Sequence, residues 1–137
     1  METALFLMLT LPTEMGGFGL PKPELNADSG VVLHGVHLRP DLMWRLARVV
    51  VEYDSSEFHS DLGRDKTDRD IERANALRAA GFTVLETTPG IVSRPASVAT
   101  LAEQIASLVG VSLRETSEEQ RRTRERLMRT LLTGQQD

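Results

Sequence analysis

Apolar and polar positions along this chain switch between a helical and a strand period, and the switches predict the order α, β, β, β, α, β, α, α. Met1 to Thr10, METALFLMLT, is apolar nearly all round and rich in good helix formers, which predicts a buried helix ending before Pro12. Thr13 to Gly30 is rich in glycine and proline and reads as a loop, with Phe18 and Leu20 tucked in. Val31 to Leu38 reads as a first strand, with His34 and His37 on opposite faces. Leu38 to Leu46 and Ala47 to Tyr53 read as a hairpin turning near Leu46 and Ala47, its second arm carrying the β-branched run Val49-Val50-Val51. A polar loop, Asp54 to Asp65, carries His59. Lys66 to Ala80 is an amphipathic helix with Ile71, Ala74, Leu77 and Arg78 toward the sheet, ended by a left-handed Gly81. Phe82 to Thr88 is a further strand closed by Pro89-Gly90. Pro95 to Val109 is a helix with Val98, Leu101, Ile105 and Leu108 as its buried face, ending at Gly110. Thr116 to Leu132 is a last helix with an apolar end of Leu127, Met128, Leu131 and Leu132.

A helix and strand following a hairpin require a crossover, so the expected class is a mixed α/β sheet rather than a sandwich. At 137 residues the chain has the length of one domain, expected over 1–112, with a charged helix over 113–137 packed on it or extending from it. With no cysteine, neither a disulfide framework nor a thiolate zinc site can form, and a reducing compartment is expected. No apolar run approaches the roughly 20 residues that span a bilayer. The apolar start, LFLML, lacks the basic flank and small-residue cleavage site of a secretory signal, so the expected location is the cytoplasm, without a membrane partner. No capping residue precedes the first helix, the expected mark of a longer protein whose N-terminal module lies outside this chain.

The net charge of −4 argues against a uniformly basic nucleic-acid binder, but only Lys22 and Lys66 stand beside fourteen arginines. Arginine suits bidentate phosphate contacts; it also marks high-GC coding sequence, which is the preferred explanation. In the last helix Arg121, Arg122, Arg124, Arg126 and Arg129 alternate with Glu118, Glu119 and Glu125, and a salt-bridged, solvated helix is preferred over a grip on nucleic acid.

The hairpin is where chemistry concentrates. A turn centred on Leu46 and Ala47 puts Asp41 opposite Glu52, and the strand period returns Asp54 to the face of Glu52. Crowded carboxylates repel, and a divalent cation resolves the conflict: Mg²⁺ or Mn²⁺ takes one or two carboxylates and fills its shell with water and phosphate oxygens. The alternative is a turn elsewhere, with these acids on a solvated strand end. His34 and His37 cannot chelate from opposite faces and read as structural or exposed histidines.

With its α-βββ-α-β order, R-P-D on one strand and V-V-V-E-Y-D on the next, the chain resembles the PD-(D/E)XK nuclease superfamily. Within it, the chain is similar to the very-short-patch-repair-endonuclease-like domain of unknown function. Asp70, Arg73, Leu77, Gly81, Phe82, Val84 and Leu85 look like that group's helix-then-strand signature, and M-E-T-A-L like its opening helix, so that the likeness covers residues 1 to about 110. The resemblance implies a restriction-endonuclease-like fold with C-terminal helices and a Mg²⁺-dependent or Mn²⁺-dependent DNA endonuclease activity. It makes Asp41 and Glu52 metal ligands, Glu2 a helix-borne acid facing the same site, and His59 a group for proton transfer or phosphate contact. Asp54 departs from the pattern, which has a lysine there to hold the attacking water; Lys66, His59 or Arg69 would substitute. The competing expectation is a catalytically silent DNA-binding or regulatory domain of the same fold, and a third is a protein-interaction module with the terminal helix as an arm.

Overall fold

The computed structural model describes residues 2–54, 63–114 and 116–133, with 63–67 by their backbone alone. In chain order its elements are α1 (Glu2–Thr10), a 3-10 turn (Thr13–Met15), β1 (Glu24–Leu25), β2 (Val32–Leu33), β3 (Val36–His37), β4 (Leu42–Trp44) and β5 (Val49–Tyr53). There follow α2 (Gly63–Ala79), β6 (Thr83–Thr87), α3 (Pro89–Val92), α4 (Pro95–Val109) and α5 (Glu118–Thr133). The chain divides into two compact units, residues 23–89 and residues 1–22 with 90–137.

The unit 23–89 holds a four-stranded mixed sheet in the order β1-β4-β5-β6, parallel only between β5 and β6. The β4–β5 hairpin pairs Leu42 with Val51, Met43 with Val50 and Trp44 with Val49. This register centres the turn on Leu46 and Ala47, as the apolar pattern predicts. The turn closes through the Arg48 N–H on the Arg45 carbonyl at 3.1 Å, with Arg48 at φ 55°. Val49, Val50 and Val51 are all buried, so this strand has apolar neighbours on both faces, the reason for an unbroken β-branched run. On one face Met43, Val50 and Val84 pack with Ala74 and Leu77 of α2 and with Phe82. Burial on this scale supplies about 1.5–3 kcal/mol per large side chain. Trp44 belongs to the buried set, which settles it as a core residue.

Three expectations for this unit need correction. Val31 to Leu38 is not one strand of the main sheet: His34 at φ 49° and Gly35 at φ 78° turn the chain back, and β2 pairs β3 in a separate two-stranded sheet. Consecutive positive φ values are the mark of a tight hairpin turn, and glycine is suited to the second position. The sheet edge is taken instead by β1, inside the expected loop, pairing Glu24 with Met43 and Leu25 with Leu42. Ile71 and Arg78, both expected toward the sheet, are exposed; Ala74 and Leu77 carry the contact.

In the other unit, Ala4, Leu5, Met8 and Leu9 of α1 are buried, as are Val98, Leu101, Ala102, Ile105 and Ala106 of α4. Leu108, expected on that face, is 41% exposed. The glycine-rich stretch after α1 folds back along the helix end, where Phe18 N–H donates to the Met8 carbonyl, Gly19 to Leu11 and Leu20 to Leu9. These donors satisfy carbonyls that a helix end leaves orphaned. Gly17 is required by this approach, since a Cβ there would collide with the Leu11 carbonyl. Phe18 and Leu20 are buried, as expected. Against this stretch Arg124 of α5 lies 3.7 Å over the Phe18 ring and donates to the Gly16 carbonyl at 3.2 Å. Among the described residues no helix is long and apolar enough to cross a membrane.

Candidate active site at the strand ends

Extending the hairpin register by one pair beyond Leu42 and Val51 puts Asp41 across from Glu52, on the face that α2 covers. The Asp41 carboxylate does the work of a strand carbonyl there: its Oδ2 accepts the Tyr53 N–H at 2.6 Å. Asp54 follows on the Glu52 side of the strand, and its own N–H donates to the Thr87 carbonyl at 2.8 Å. Glu86 sits beside Glu52 in the parallel register. The face therefore changes character along the strands, from Met43, Val50 and Val84 to Asp41, Glu52, Asp54 and Glu86 at the carboxyl ends of β5 and β6. In open α/β sheets the carboxyl ends of parallel strands are where ligands bind.

Helix α2 completes this end. Asp70, Arg73, Ala74 and Leu77 follow the i, i+3, i+4, i+7 spacing of one helix face. Ala74 and Leu77 cover the apolar part of the sheet, while Arg73 meets the acidic part: its Nε donates to Glu52 Oε1 at 2.9 Å, and its Nη2 to the Arg39 carbonyl at 2.8 Å. A cleft of about 80 Å³ opens here, lined by Glu52, Tyr53, Asp54, Asp70, Arg73 and Glu86. Burial raises the Glu52 carboxyl to about 7; Arg73 opposes the rise, and the negative charges of Asp41 and Asp70 add to it. The guanidinium partner therefore offsets only part of the cost of burial.

The six residues singled out in the sequence have separate fates. Asp41, Glu52 and Asp54 lie at one end of the sheet, Glu52 and Asp54 lining the cleft and Asp41 beside it on the Tyr53 N–H. Glu2 opens α1 in the other compact unit and is exposed. His59 lies outside the described residues, and Lys66 falls in α2 within the stretch described by backbone alone. Arg69, a candidate for the missing lysine, is exposed. His34 pairs with Glu72 and His37 with Asp28, each at 2.9 Å on the surface, in keeping with their reading as structural histidines. In α5, Arg122 pairs with Glu118 at 3.1 Å, as expected of a salt-bridged helix.

In the sequence Arg73 stands out only as part of a motif, and nothing there singles out Glu86. The signal for Arg73 lay in the pattern itself, because a charged residue occupying the apolar stripe of a helix is aimed at the sheet. Among the described residues no group of three or more His, Cys, Asp or Glu is arranged to hold a metal ion. Asp41 and Glu52 remain a fit for Mg²⁺ or Mn²⁺ as a pair, since these ions need only one or two carboxylates and each carboxylate has a second oxygen besides the one described. Comparison with protein-family models, curated proteins and solved structures finds no match for the chain.

Proposed function

We propose that this protein is a metal-dependent DNA endonuclease domain with a restriction-endonuclease-like fold, hydrolysing phosphodiester bonds at the carboxyl ends of β5 and β6. The observation that carries the reading is the facing of Asp41 and Glu52 across the hairpin, beside a cleft in which burial raises the Glu52 carboxyl to about 7. Asp41 and Glu52 would hold Mg²⁺ or Mn²⁺, which when bound supplies Lewis acidity and a water of lowered pKa. Asp41 is oriented by the Tyr53 N–H, and Asp54 lines the cleft as an acceptor. The positive charge that the family pattern draws from lysine at position 54 comes from Arg73, whose planar fork suits a phosphate oxygen pair. His59, before α2 in sequence, and Lys66, in the first turn of α2, stay candidates for proton transfer and phosphate contact. DNA is the proposed partner, and the cysteine-free composition suits a cytoplasmic setting.

The test is plasmid nicking by purified protein with Mg²⁺ or Mn²⁺ and with chelator. Cutting that needs the cation and disappears in Asp41→Ala supports the assignment, and undiminished cutting by that variant refutes it.

The second reading is a catalytically silent DNA-binding or regulatory domain. It is favoured by the Arg73–Glu52 ion pair, which already answers the charge of Glu52, and by an acid at position 54. Salt-dependent DNA binding without any divalent-metal binding selects it.

A further inference from the structure

We propose that Arg73 is the resident counter-ion of Glu52 and that a divalent cation entering beside Asp41 must displace it, an inference that rests on the metal-dependent reading of this site. The guanidinium is held at two points, the Glu52 carboxylate at 2.9 Å and the Arg39 carbonyl at 2.8 Å. Arg39 lies two residues before Asp41, in the segment that leads into β4. One side chain thus bridges the two chain segments from which the metal ligands come. A guanidinium and a divalent cation contest the same carboxylate, since each places positive charge against it and they repel one another at that range.

The exposures favour exchange over permanence. The Arg73 and Glu52 side chains are 30% and 17% exposed, so the pair is neither freely solvated nor sealed in the core. A sealed pair would be kept by the cost of leaving one charge buried alone; a pair at the rim of an open cleft can part with water present on one side. The bond to the Arg39 carbonyl is a neutral acceptor contact and resists displacement less than the ion pair does. The ion pair is therefore a latch over the facing carboxylates that sets the cation concentration at which the site fills.

Two measurements on the full chain test this. In wild-type protein, the Arg73 Nε–Hε resonance in ¹⁵N spectra reports its bond to Glu52; titration with Mg²⁺ is expected to shift it to the position of an unpaired arginine, and an unmoved resonance at a saturating cation overturns the latch. In calorimetry with Mn²⁺ alone, Arg73→Gln is expected to bind about tenfold more tightly than wild type, the scale of an ordinary coupling between two ligands of one site. Arg73→Lys, which keeps the charge, is expected to fall between the two and serves if the glutamine variant does not fold. Wild-type binding that is lost in Asp41→Ala but is as tight as or tighter than that of both Arg73 variants sinks the latch and leaves the metal site standing. No Mn²⁺ binding by any of the three proteins sinks both.

Discussion

The Nε of Arg73 donates to Glu52 Oε1 at 2.9 Å, so a cation that α2 turns onto the strand ends meets a partly buried carboxylate of the sheet there. An arginine placed in this way stabilises an ionised Glu52 but does not overcome burial and the charges of Asp41 and Asp70, and the carboxyl remains raised to about 7.

Stability should therefore fall with rising pH across the window from the ordinary glutamate range to about 7. The folded state binds the Glu52 proton more tightly than the unfolded chain, so its contribution is complete below the unfolded pKa and is lost as pH rises through the folded one. Glu52→Gln removes that loss and is expected to gain about 1–3 kcal/mol over wild type at pH 8, with little difference at pH 4.5. Urea unfolding at the two pH values checks this, and an equal gain at both contradicts it.

Asp41 has two separable roles, as a strand-end acceptor for the Tyr53 N–H and as a proposed metal ligand. Asp41→Ala leaves that part-buried N–H without its acceptor and should cost about 1–3 kcal/mol, whereas Asp41→Asn retains an oxygen and should cost less. Both are expected to lose cation-dependent cutting. Melting curves beside nicking assays separate the roles; equal stability of the two variants removes the structural one.

Leu77 is fully buried in the cluster between α2 and the sheet, and Leu77→Ala should cost about 2–5 kcal/mol with an unchanged denaturant slope. Ile71→Ala, at a position 54% exposed on the same helix, should stay within about 0.5 kcal/mol of wild type. A large cost for Ile71→Ala would restore it to the sheet-facing stripe.

Arg124 differs from its neighbours in α5 because it stacks on Phe18 and donates to the Gly16 carbonyl. Arg124→Ala is expected to destabilise by about 1–3 kcal/mol, while Arg121→Ala, an exposed position, should change stability by less than about 0.5 kcal/mol. Thermal denaturation of the two single variants checks the contrast.

By itself the sequence determined what repeats locally. The helical stripes of α2 and α4, the left-handed stops at Gly81 and Gly110, and the hairpin register of β4 and β5 are each written into the spacing of neighbouring residues. That register was enough to bring Asp41 opposite Glu52, because a period of two leaves little freedom once the turn is centred. The tertiary structure alone decided which distant pieces meet. A two-residue strand such as β1 has no period to detect, and the His34-Gly35 turn splits a run whose apolar alternation also suits a continuous strand. The pairing of Arg73 with Glu52 joins residues 21 apart in sequence, and it depends on how α2 docks and how much water that docking removes. Burial and cross-chain charge are properties of that packing, and no local spacing encodes them.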